Sequence, residues 1–194
     1  KIAEANPGVN LPDEPINVFY RSDESGTSDN FQKFLAAASD GKWESTGKAF
    51  PNAVGTGANG SSGVAQEVSA TDGAITYVEA GFADKTANID FGNGPVELTE
   101  EAVEKTLDNL EFTTEGHDMV VDSEKLFTTD TEGAYPLVLT TYEIVCSTGY
   151  SDEATSTTLK EAFTKILSDG QNGLAEIGYV PLPQGFKTTV QGTV

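Results

Sequence analysis

The feature that most constrains the fold is a short apolar run set almost directly against a helical pattern. Ile16-Asn17-Val18-Phe19-Tyr20 is rich in β-branched and aromatic residues, as strands are. Phe31, Phe34, Leu35 and Ala38 then fall at i, i+3, i+4 and i+7, the stripe of an amphipathic helix. That spacing predicts a helix from about Ser28 to Ser39, with Thr27 or Ser28 as the N-cap. A strand passing through one loop into a helix is the opening of an α/β layered domain.

The alternation continues. Ser61 to Ala70 reads as a helix, Gly73 to Val78 as a strand, and Glu79 to Lys85 as a short helical or turn segment. Ala87 to Phe91 reads as a further strand and Pro95 to Leu98 as extended chain. Thr99 caps a helix whose inner stripe is Val103, Leu107 and Leu110, with Glu100 and Glu101 at the positive end of its dipole. Leu137 to Cys146 is the most strand-like run of the chain, rich in Leu, Val, Ile and Thr, which predicts a central strand covered on both faces. Ser151 or Asp152 opens a helix to about Ser168, with Leu159, Phe163, Ile166 and Leu167 on one face. A short helix carrying Leu174 and Ile177 follows, Val180 to Pro183 stops it, and a polar tail ends the chain.

The loop between the first strand and helix is Tyr20-Arg21-Ser22-Asp23-Glu24-Ser25-Gly26-Thr27-Ser28. It holds the one arginine of a chain with ten lysines, so the planar fork of Arg21 matters there. A helix N-terminus offers free N–H groups and a partial positive charge. Ser25 and Thr27 add hydroxyl donors, Gly26 lets the backbone come close to a ligand, and Arg21 fits two oxygens at once. Asp23 is near enough to brace the guanidinium. These residue types together predict an oxyanion-binding loop. Plain capping by the hydroxyls and a surface Arg21–Asp23 ion pair are the alternatives.

Other chemistries find less support. Gly55, Gly57 and Gly60 spell G-x-G-x-x-G, but no apolar strand precedes them, so they read as a glycine-rich turn before a helix rather than a dinucleotide site. A Ser25 nucleophile would need a base, and the one histidine, His117, lies in a separate polar segment. His117 has no second ligand at metal spacing, and the chain carries no cofactor fingerprint. The single cysteine, Cys146, cannot form an internal disulfide and reads as a buried core residue. A formal charge of −20 argues against nucleic acid and anionic lipid as partners.

On these residues the chain resembles the phosphate-binding proteins of the bacterial high-affinity phosphate ABC importer. The resemblance runs through Lys1-Ile2-Ala3-Glu4-Ala5-Asn6-Pro7-Gly8, Arg21-Ser22-Asp23-Glu24-Ser25-Gly26-Thr27 and Gly73-Ala74-Ile75-Thr76-Tyr77-Val78-Glu79, and the strand-like run Tyr135 to Cys146 sits where that family has a similar one. It implies one α-β-α lobe of a type II periplasmic-binding-protein fold. It implies that Arg21, Ser25, Gly26 and Thr27 bind phosphate, Gly26 through its N–H, with Asp23 pairing to Arg21.

It also implies a two-lobed clamp in an extracytoplasmic setting, periplasmic or lipid-anchored at the cell surface, with the importer's membrane subunits as partners. In the family another lobe precedes the point where Lys1 falls and carries a carboxylate that accepts a proton from phosphate. The expectation is therefore a single lobe over about residues 1–145. A C-terminal segment, about 146–194, then packs on a lobe outside this sequence or on a second copy. Another oxyanion, such as sulfate or a phosphorylated metabolite, and a Ser25-dependent hydrolase remain the rival readings.

Overall fold

The computed structural model describes residues 1–193. A short helix α1 (Ile2–Ala5) leads into a mostly exposed N-terminal stretch. Strand β1 (Asn17–Arg21) is the centre of a three-stranded parallel sheet in the order β2-β1-β3, with β2 at Thr56–Ala58 and β3 at Ala74–Ile75. Helix α2 (Gly26–Ala38) connects β1 to β2, and α3 (Gly60–Ala70) connects β2 to β3. The predicted strand–helix opening is present. Its cap is Ser25 rather than Thr27 or Ser28, because Ser25 is extended and its Oγ accepts the Ser28 N–H.

The glycine motif contains a strand that sequence reading omits. Thr56–Ala58 pairs with Phe19–Arg21, although it has no apolar side chain to announce it. Backbone proximity explains its composition. A Cβ on Gly55 would lie 2.1 Å from the Val18 carbonyl oxygen, so only glycine lets the two chains meet there. Gly60 turns the chain into α3 at φ +70.

Two apolar clusters form outside the three-stranded sheet. Phe34 of α2 packs with Val121, Leu126 and Phe127, the last two on α5 (Ser123–Phe127). Val103 and Leu107 of α4 (Glu100–Asp108) pack with Ala102 and Tyr135. Thr99 caps α4 as expected. Ile89–Asp90 (β4) and Pro95–Val96 (β5) form a two-stranded antiparallel ribbon beside these clusters. Behind β1 an aromatic stack joins Tyr20, Phe31, Phe50 and Tyr77, with Phe31 and Tyr77 centroids 4.6 Å apart.

Three expectations in the C-terminal half are corrected. Residues 137–146 form no strand; Leu139, Tyr142, Ile144 and Val145 are exposed, Ile144 at 95%. A strand needs a paired edge, and beyond Leu137 and Val138, which pack on the two clusters, the described residues leave the large apolar side chains of the run uncovered. Cys146 lies at the end of this run and is likewise exposed, not buried. Third, the tail beyond Pro183 forms α7 (Gln184–Gln191). Proline suits a helix start, and Phe186 anchors α7 by stacking on Phe112.

Helix α6 (Glu153–Leu167) begins at its Asp152 cap as expected, but its apolar face is only partly covered. Leu167 is buried while Ile166 is half exposed. Among the described residues no helix is long and apolar enough to cross a membrane.

Candidate functional site

In a parallel sheet the carboxyl ends of the strands and the amino ends of the following helices meet at one edge, where α/β proteins bind ligands. Here that edge gathers Arg21 from the end of β1, Ser25, Gly26 and Thr27 at the start of α2, and Gly60 and Ser61 at the start of α3. Register explains the gathering. Arg21 lies opposite Ala58, two residues before α3 begins, and the Ser22 N–H continues the ladder to the Ala58 carbonyl at 2.9 Å.

Arg21 is fixed on three of its five N–H groups. Nε donates to Asp23 Oδ1 at 2.8 Å and Nη2 to Asp23 Oδ2 at 2.5 Å, a bidentate pair. Nη1 donates to Ser61 Oγ at 2.9 Å. One N–H on each terminal nitrogen is then left for other acceptors. The Arg21 side chain is 12% exposed, so it is desolvated but reachable.

Asp23 does more than pair with arginine. Its Oδ1 also accepts the Gly60 N–H at 2.9 Å, which ties the first loop to the start of α3. The Arg21 hydrogen bond, then the Gly60 N–H, hold the Asp23 carboxyl well below the usual carboxylate range. The same Asp23 bond raises the pKa of Arg21, so the guanidinium stays charged.

The hydroxyls are organised by a carboxylate that sequence reading did not select. Thr27 Oγ1 donates to Glu79 Oε1 at 2.5 Å, and Ser61 Oγ donates to Glu79 Oε2 at 2.5 Å. Burial pushes the Glu79 carboxyl up, but the Ser61 and Thr27 bonds and the Arg21 charge outweigh it and leave it below its ordinary value. Tyr77, two residues earlier, accepts the Arg21 N–H at 3.3 Å and shares a 2.6 Å bond with the fully buried Ser28. Burial raises the Tyr77 phenol, which therefore remains a neutral hydrogen-bonding group.

All five residues expected from sequence, Arg21, Asp23, Ser25, Gly26 and Thr27, thus lie in one cluster. Ser25 is buried, its N–H donates to Lys48 at 3.1 Å, and its hydroxyl proton remains available beside the N–H groups that open α2. His117 is not brought to Ser25; it is exposed, and its Nδ1 lies 2.9 Å from the Thr193 carbonyl. Among the described residues no group of three or more His, Cys, Asp or Glu is placed to hold a metal.

Sequence reasoning missed Ser61, Tyr77 and Glu79 as parts of this cluster. Their only local signal is position. Ser61 follows the Gly60 turn into a helix, and Tyr77 and Glu79 follow a short strand parallel to β1.

The comparisons agree with this architecture. Phosphate-binding protein PstS 3 of Mycobacterium leprae is 42% identical over 96% of this chain and 52% of its own length. Phosphate-binding protein PstS 2 of Mycobacterium tuberculosis is 40% identical over 100% of this chain and 54% of its own. The chain spans about half the length of these relatives. A solved periplasmic phosphate-binding protein, PfluDING, superposes with a TM-score of 0.60 at 21% identity over 92% of this chain and 57% of its own. The fold is thus that of these binding proteins. The profile of the PBP superfamily domain matches residues 5–169, most of the sequence, and the chain belongs to that family.

Proposed function

We propose that this chain is one lobe of an inorganic-phosphate clamp, the solute-binding component of an ABC importer working outside the cytoplasm. Arg21, the hydroxyls of Ser25 and Thr27, and the Gly26 N–H supply the donors, and Asp23 sets the angle of Arg21. The observation that carries this reading is the Arg21 fork. It is held side-on by Asp23, keeps an N–H on each terminal nitrogen, and sits beside the amino ends of two helices. A tetrahedral anion presents oxygens at a spacing such a fork and such N–H groups match. Binding needs no bond to form or break, which accords with relatives named as binding proteins.

In this reading residues 1–145 are the lobe proper and about 146–194 are a C-terminal segment, of which α7 returns to the lobe through Phe186 on Phe112 while the uncovered face of α6 is left for a second lobe. The exposed apolar run 139–145 and the uncovered face of α6 support that division. Titration calorimetry of the chain with inorganic phosphate tests the function. The expected result is weak binding, because one lobe supplies only part of the donors, lowered roughly a hundredfold in Arg21→Ala, the loss of about 2–3 kcal/mol of charged hydrogen bonding. Submicromolar binding that survives Arg21→Ala would overturn both the role and the residue.

A further inference from the structure

The Arg21 cluster contains more negative charge than an anion site needs. Asp23 already matches the single positive charge of Arg21 in a bidentate pair. Glu79 adds a second carboxylate, half-buried, bonded through Ser61 to the same guanidinium. With both acids ionised, the three side chains sum to one negative charge. Glu79 also takes two of the hydroxyl protons at the site, leaving that of Ser25. A threonine or serine hydroxyl has one proton to donate. That of Thr27 points to Glu79 Oε1 and that of Ser61 to Glu79 Oε2. An anion that accepts either proton must take it from Glu79, and a half-buried carboxylate that loses a hydrogen bond is left under-satisfied.

We propose that Glu79 is an affinity-lowering residue of this site, an internal carboxylate that competes with the incoming oxyanion for the Thr27 and Ser61 hydroxyls and for the field of Arg21. The proposal rests on the oxyanion reading of the loop. It makes Glu79 a built-in rival, so binding is an exchange of one anion for another at the same donors. The protein then holds its ligand less tightly than its donor set allows, which suits a carrier that must also let go. Glu79 differs in this from Asp23, which takes the side edge of the guanidinium and the Gly60 N–H but neither hydroxyl.

A gain of affinity is the diagnostic, because damage to the fold cannot produce one. Amide NMR titrations with inorganic phosphate at pH 7, read at Gly26 and Thr27, compare the unaltered chain with Glu79→Gln, Arg21→Ala and Glu104→Gln. Glu104 is an exposed acid on α4, outside the cluster, and controls for net charge. Glu79→Gln should tighten phosphate binding about tenfold, since it removes a full charge and turns one hydroxyl proton free. Glu104→Gln should leave binding within about twofold.

Equal or weaker binding by a folded Glu79→Gln, with Arg21→Ala still lowering it roughly a hundredfold, overturns the Glu79 proposal and leaves the oxyanion reading standing. An anion response in neither the unaltered chain nor Glu79→Gln overturns both. Should Glu79→Gln not fold, the carbon-13 resonance of the Glu79 carboxyl in the unaltered chain decides. It should move as phosphate saturates the site, and a resonance that stays still while Gly26 and Thr27 respond overturns the proposal.

Discussion

The cluster around Arg21 and the run from Leu137 to Cys146 are opposite solutions to the same problem, what to do with groups that water would otherwise satisfy. Around Arg21 the polar groups are largely withdrawn from water and bonded to one another across long stretches of chain. Thr27 reaches Glu79, Ser61 reaches Glu79 and Arg21, and Gly60 reaches Asp23. In the second region the cover runs out after Leu137 and Val138, which still pack on the two clusters, and Ile144 stands 95% exposed. The first region ties its polar groups together within the described residues and keeps two Arg21 N–H groups for other acceptors; the second has the composition of a core and, beyond Val138, the surroundings of a surface. Local strand propensity cannot make a strand without an edge to pair with. The comparison therefore separates what this chain can close by its own contacts from what needs a neighbour.

Removing a core contact beneath the first region should have the largest effect. Phe127 is 1% exposed and meets Phe34 edge-to-face at 5.9 Å, so it holds α5 against α2. Phe127→Ala should cost about 3–5 kcal/mol, read as a drop in the urea midpoint. A cost near zero would mean that the site region does not hold together by this core.

Breaking the brace comes next. Asp23→Ala strands a largely desolvated guanidinium and frees the Gly60 N–H, which should cost about 2 kcal/mol in the same denaturation experiment. The sign of the pH dependence follows from the depressed carboxyl. Asp23 lies lower in the folded chain than unfolded, so its contribution is complete above about pH 5. It is lost as pH falls through the folded value, far into acid. Asp23→Asn should therefore flatten the loss of stability between about pH 4 and pH 2 relative to the unaltered chain. An unchanged acid limb would show that Asp23 is not the group being titrated.

The brace was legible from two letters, Arg21 and Asp23, because they are two residues apart and need no knowledge of the rest of the fold. The first strand and helix were legible for a similar reason, as apolar spacing reports a local period. Glu79 and Ser61 were not. They lie 52 and 40 residues from their partners Thr27 and Arg21, and a polar residue carries no period to mark which face it serves. Strand β2 was hidden because Gly55 and Gly57 are there for close backbone approach, which leaves no apolar side chain to read. Helices α5 and α7 were hidden by polar sequence around few anchors, Leu126 and Phe127 in one and Phe186 in the other. The error at 137–146 ran the other way. The run has the composition of a core strand, but being buried is a property of the neighbours and not of the run.

A smaller loss is expected at the cap. Ser25→Ala removes the acceptor of the Ser28 N–H and should cost about 1 kcal/mol of stability while also weakening phosphate binding. The two readouts separate its roles, since a cap alone would change the denaturation midpoint without changing the titration.

The smallest effect on stability belongs to the exposed run, and it is the sharpest test of the contrast. Ile144 makes no buried contact to lose, so Ile144→Ser should change the folding free energy by no more than about 0.5 kcal/mol. Its effect should appear in association. Apolar surface of this kind, contiguous with Tyr142 and Val145, is the sort that pairs with another chain. Sedimentation of the unaltered chain should show self-association that rises with concentration, and Ile144→Ser should reduce it. If Ile144→Ser destabilises the monomer by 2 kcal/mol or more, the run is part of this chain's own core in solution, and the division between a closed site and an open flank fails. If stability and association are both unchanged, the run is inert surface and not the docking face of the proposed second lobe. A near-neutral stability change with a clear fall in association is the one outcome in which residues 137–146 keep a strand's composition because a partner, rather than this chain, completes them.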